Sequence, residues 1–110
     1  MMSIFAKKQC EAKTSLLTDN EIDSHLKEIS SEWQLAEDSK SISRTFKFKN
    51  YYETMSFVNV VAMVAHQQDH HPEMIVNYNT CRVEFSTHSV SGLSLNDFIC
   101  AARIDGTLNI

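Results

Sequence analysis

Only two glycines and one proline occur in 110 residues. With no Gly/Ser linker, low-complexity tract or internal repeat, the chain offers no natural boundary between domains, so a single domain over residues 1–110 is expected. No apolar run approaches the roughly eighteen residues of a membrane span. The start, MMSIFAKKQC, lacks the apolar core and small-residue cleavage site of a signal peptide, so a soluble cytoplasmic protein without a membrane partner is expected. Positive charge is also scarce. Ten basic against fourteen acidic side chains give a formal charge of −4, and no Lys/Arg run reaches five, which argues against direct nucleic-acid binding. The three cysteines, Cys10, Cys81 and Cys100, are odd in number and form no CxxC pair, so free thiols are expected. Cys81 and Cys100 sit in apolar patterns that suit small core residues, and Cys10 reads as exposed.

What is present is a 43% apolar content, enough for a modest core. Residues 1–17 carry mixed charge without a clear period and read as a loosely held lead-in. Thr18 followed by Glu21 is a capping box, and Ile22, Leu26 and Ile29 then predict a helix over roughly residues 19–31. Ile42, Arg44, Phe46 and Phe48 alternate with Ser43, Thr45 and Lys47, the period of a half-buried strand within a hairpin. Asn50 and Glu53 open the longest helix, with Met55, Val58, Ala62 and Ala65 on one line and Val61 and Val64 flanking. That helix must stop before Pro72. A second hairpin follows, Met74–Tyr78 and Thr80–Thr87, with Cys81, Val83 and Phe85 facing inward. Ser94 and Asp97 then cap a last helix carrying Leu95, Phe98, Ile99, Ala102 and Ile104. The order α-β-β-α-β-β-α predicts an α+β domain, a four-stranded antiparallel sheet with helices packed on one face.

Four of the five histidines fall between residues 66 and 88, three of them at element ends. His66 and His70 are four apart and could share a helix face as metal ligands, with His88 as a third. However, the chain reads HQQDH where a zinc hydrolase would have HExxH, and His71 would be left without a role. An imidazole of ordinary pKa ~6.5 serves equally as a proton donor or acceptor, and a cluster can protonate one side of a substrate while accepting a proton on the other. The plain alternative is a set of surface histidines at turns, and His25, mid-helix among polar residues, reads that way. Asp97 completes the Ser94 cap and lies close enough in sequence to His88 to orient an imidazole. Tyr78 suits ordinary packing or one wall of a flat ligand site. Pro72 ends the helical geometry and fixes the direction of the strand leaving the histidine pair.

The pattern His66-x3-His70-His71-Pro72, then Tyr78, His88 and Asp97, resembles the signature of the pterin-4a-carbinolamine dehydratases, most closely the bacterial members. FKFKNYYETMSFVNVVA before the histidines, STHSVSGLSLNDFICAARID after them and QCEA near the amino terminus extend the resemblance over nearly the whole chain. Two positions depart from it. His66 stands where many members carry an acidic residue, and Ser91-Gly92 replaces a glycine pair.

The resemblance implies loss of water from 4a-hydroxytetrahydrobiopterin to give quinonoid dihydropterin, without metal or organic cofactor. By carry-over, His70 and His88 serve as acids for the two stereoisomers, and His71 binds the pterin and assists as base. Pro72 and Tyr78 line the substrate, and Asp97 and His66 support or orient the imidazoles. The resemblance also implies a homodimer or homotetramer, and pterin recycling for an aromatic amino-acid hydroxylase such as phenylalanine hydroxylase. Two alternatives come with it: a dimerisation cofactor of the transcriptional-coactivator type, as in animal members, and a related protein acting on another pterin.

Overall fold

A computed structural model describes residues 3–108. Helix α1 (Asp19–Leu26) opens on the expected capping box, Thr18 Oγ1 accepting from the Glu21 amide and Glu21 Oε1 from the Thr18 amide. It stops at Leu26 rather than near residue 31, because the amides of Lys27 and Glu28 bond three residues back to Ser24 and His25. That tighter turn swings Ile29 into the core. Strands β1 (Gln34–Leu35) and β2 (Ile42–Lys47) form the first hairpin, and β3 (Glu73–Val76) and β4 (Thr80–Phe85) the second. All pairings are antiparallel and the sheet order is β1-β2-β4-β3. With helices α2 (Tyr51–Gln68) and α3 (Leu95–Thr107), this gives the α+β order that the patterning predicts.

Register decides which sheet face is apolar. Ile42 pairs with Phe85, and Phe46 with Cys81, so these side chains share one buried face with Val83. Ser43, Thr45, Arg82 and Glu84 fall on the other face, which is open and polar. Helix α2 buries Thr54, Phe57, Val61, Val64, Ala65 and Gln68. The inward stripe is thus rotated from the expected line: Ala62 is exposed and Met55 and Val58 are only half-buried. Apolar residues occur almost all round this helix, so its own periodicity could not select the face. Arg44, on the helix side of β2, reaches Asp105 at 2.8 Å. Asp105 also accepts from Trp33 Nε1 at 2.9 Å and the Ser30 amide at 3.2 Å, tying the α1–β1 loop to α3.

The lead-in is not loose. A 3-10 turn at Ile4–Lys7 buries Phe5 and Ala6 in the core. Arg103 Nε donates to the Lys8 carbonyl at 3.0 Å, and Leu17 N–H to the Leu93 carbonyl at 2.9 Å. His25, expected to be an ordinary surface residue, packs edge-on against Phe5 and Phe98, with centroids 5.0 and 5.4 Å away. Burial, partly offset by Glu21, lowers its pKa below the usual histidine value.

Candidate active site

His70 owes its position to the way α2 ends. Asp69 adopts a left-handed conformation (φ 51°), its amide bonds to the His66 carbonyl, and the His70 amide reaches back to Ala65 at 3.1 Å. These are the paired bonds of a Schellman motif, in which aspartate stands where glycine is commonest. The helix therefore ends at Gln68, ahead of the limit that Pro72 imposes. The His70 ring lies parallel to Phe85 at a centroid distance of 5.9 Å, and only 12% of its side chain is exposed.

From there His70 Nε2 meets Asp97 Oδ1 at 2.6 Å. Asp97 is fully buried, and its second oxygen accepts from the Ser94 amide at 2.9 Å and from Thr87 Oγ1 at 2.8 Å. Because Thr87 directs its only hydroxyl proton at the carboxylate, the 2.7 Å contact with Ser94 is donated by Ser94. Ser94 Oγ in turn accepts from the Asn96 amide. Asp97 is thus both helix cap and imidazole partner, and the imidazole is that of His70 rather than His88. Burial penalises the His70 cation, but the Asp97 hydrogen bond and charge, with a smaller contribution from Cys10, outweigh it and hold its pKa above the usual histidine value. With Nε2 engaged, Nδ1 is the ring nitrogen left over.

Thr87 and Gly92 bridge as isolated β partners and close the loop that carries His88, an exposed residue opening a 3-10 turn at His88–Val90. The Thr87 hydroxyl therefore anchors the backbone beside His88 to the carboxylate that holds His70. His88 lines a cleft of about 280 Å³ with Lys40, Ser86, Thr87, Ser91 and Gly92. In this loop the replaced glycine pair is half compensated: Ser91 takes the left-handed conformation (φ 54°) that glycine favours. A Cβ at Gly92 would lie 2.7 Å from Cδ1 of the exposed Leu16, whose side chain would have to shift.

His71 is exposed beside the half-buried Pro72, on the turn between α2 and β3. His66 is exposed on the last turn of α2, outside the buried network. Among the described residues, no three His, Cys, Asp or Glu side chains converge as a metal cage requires.

Tyr78 lies elsewhere. It is 65% exposed at the β3–β4 turn, its carbonyl accepts from Thr54 Oγ1 and its ring stacks on Tyr51, both at the start of α2. Fourteen residues of helix, at ~1.5 Å each, separate Thr54 from the end of α2 at Gln68, about 21 Å, and His70 lies beyond that end. Strand β3 runs back along α2, which carries Tyr78 away from the histidines of its own chain. Residue reasoning missed Thr87 and Phe85, the donor to Asp97 and the surface under His70; the only available signal was their place at the end of an alternating strand.

Comparison with known proteins bears on the family and the fold. The family model described as pterin 4 alpha carbinolamine dehydratase matches residues 15–107. A Nitrosomonas eutropha protein, provisionally named pterin-4-alpha-carbinolamine dehydratase, is 57% identical over 98 residues, covering 89% of this chain and 85% of the relative. A Brucella melitensis crystal structure described as transcriptional coactivator/pterin dehydratase superposes with a TM-score of 0.77 at 32% identity, covering 82% of this chain and 95% of the other. A pterin dehydratase-like protein, described as a RuBisCO assembly factor in the α-carboxysome, shares the fold (TM-score 0.62, 18% identity, 71% and 90% covered). With the match spanning both hairpins, the histidine turn and the Asp97 cap, this chain belongs to the pterin 4 alpha carbinolamine dehydratase family.

Proposed function

We propose that the protein catalyses loss of water from 4a-hydroxytetrahydrobiopterin, giving quinonoid dihydropterin. The observation that carries this reading is the buried His70–Asp97 pair at 2.6 Å, which favours an imidazolium at the end of the sheet where His71 and His88 also lie. In the reaction the C4a–O bond breaks, and the departing hydroxyl takes a proton from an acid and leaves as water. The neighbouring ring nitrogen loses its proton to a base, and its electrons form the new C=N bond. His70 acts as one acid through Nδ1, while Asp97 keeps the opposite nitrogen protonated. His88 acts as acid for the other stereoisomer. His71 and Pro72 contact the pterin, and His71 assists as base. Neither metal nor organic cofactor takes part.

The substrate would come from an aromatic amino-acid hydroxylase, with phenylalanine hydroxylase the expected source, in the cytoplasm. The deciding experiment follows dehydration of freshly generated 4a-hydroxytetrahydropterin in the presence of a chelator, with native protein and His70→Ala. Acceleration that survives the chelator and falls at least about tenfold in the variant is expected. No acceleration by native protein would reject the reading, and chelator-sensitive acceleration would reject its metal-free form.

A further inference from the structure

The lead-in brings a thiol from outside the span of the family model against one inside it. Cys10 precedes residue 15, where the match begins. Its Sγ lies 3.6 Å from that of Cys100 in α3 and 3.5 Å from the Asn96 carbonyl. Cys100 is completely buried, whereas Cys10 is half-buried. The segment around Cys10 is neither helix nor strand, and side chains hold it in place. The Cys10 amide donates to Gln68 Oε1 at 2.8 Å, and the Glu11 amide and carbonyl pair with the Asn96 side chain at 3.0 and 2.8 Å. The sulfurs are thus neighbours between α3 and a segment outside regular secondary structure, and a disulfide requires them to close from 3.6 Å to ~2.05 Å.

We infer that Cys10 and Cys100 form a peroxide-oxidisable dithiol, converted by hydrogen peroxide into an intramolecular disulfide. Cys10 reacts first because it is the partly accessible thiol. Its sulfur attacks one peroxide oxygen, the O–O bond breaks, and Cys10 sulfenic acid and one water result. The Cys100 sulfur then attacks the sulfenic sulfur, an S–S bond forms, and the hydroxyl departs with the Cys100 proton as a second water. Two thiols lose two electrons in total and the peroxide is reduced to water. The Cys100 hydrogen bond, opposed by burial and aided by His70 and Arg103, lowers the Cys10 pKa, which agrees with this order. A small oxidant is required because neither sulfur is fully open. Cys81 provides an internal control, since it is buried on β4 opposite Phe46.

The test treats native protein with hydrogen peroxide, titrates thiols after denaturation, and maps a non-reduced digest by mass spectrometry. Two of the three thiols should disappear, a Cys10–Cys100 linked peptide should form, and a thiol reductant should restore both. Cys10→Ser should leave Cys100 and Cys81 unmodified and yield no linked peptide. Three surviving thiols would overturn the inference, as would Cys10 oxidised to sulfinic acid without a cross-link, or a disulfide between two chains. None of these readouts depends on pterin turnover.

Discussion

Asp97 holds three donors from three separate stretches of chain, so the effect of changing it depends on which bond is lost. Because the folded-state pKa of His70 is raised, the charged pair contributes stability in full below the unfolded value near ~6.5 and loses it as pH rises through the folded value. Asp97→Asn keeps an acceptor for the Ser94 cap but removes the charge. Denaturant midpoints of the native protein should therefore fall between pH 6 and pH 9, and that His70-dependent fall should vanish in Asp97→Asn. An unchanged slope would mean that the pair does not favour the imidazolium. His88 is a contrasting case: it is exposed and borne on a bridged loop, so His88→Ala should retain the native circular dichroism and melting temperature. Its dehydration rate should drop more than tenfold, and unchanged turnover would remove His88 from the mechanism. The clustering of histidines was legible in the sequence, and so was Asp97 as a cap and as an imidazole partner. Which imidazole it meets was not, since that contact spans 27 residues and depends on how α2 ends.

The existence of each α-helix could be read locally because its start carries its own signal: Thr18/Glu21, Asn50/Glu53 and Ser94/Asp97 all cap as their spacing suggests. Ends and faces were harder to read. The α1 terminus depends on a tightened turn that buries Ile29, and the inward stripe of α2 depends on what the sheet and α3 present to it. The lead-in was misread for a related reason: Phe5, Ala6 and Cys10 show no period of their own, and their contacts are all distant in sequence. Asn96 is the main latch, bonding both polar groups of Glu11 from a buried position. Asn96→Ala leaves those groups without their partner and should lower stability by about 1–3 kcal/mol in equilibrium denaturation. Hydrogen exchange should rise first in residues 8–17. Uniform loosening of the whole chain would instead mean that the lead-in and α3 unfold as one unit.

Across the molecule, apolar surface is unevenly covered. The sheet's open face is polar in β2 and β4, while α2 leaves Val60 39% and Met63 56% exposed, and edge strand β3 leaves Ile75, on that open face, and Val76 exposed. Such surface fits self-association as a homodimer or homotetramer. Sedimentation of the native protein should show an oligomer, and Val60→Glu with Met63→Glu should shift it toward a smaller species without altering its helical content. A monomeric native protein would assign these side chains no such role. Fold class and family were legible because both rest on order and spacing along the chain. The separation of Tyr78 from the histidines was not legible, because it follows from β3 running back along α2.

One carboxylate fastens α3 to the loop after β4 and also sets the protonation of His70. The consequence is historical as well as chemical. A descendant released from selection at this site could discard the exposed His71 or His88 at little structural cost, whereas losing His70 would leave the buried Asp97 carboxylate without its partner. Among diverged copies of this chain, the exposed histidines should erode first and the His70–Asp97 pair last, so that pair without His71 and His88 marks a lineage that kept the scaffold alone.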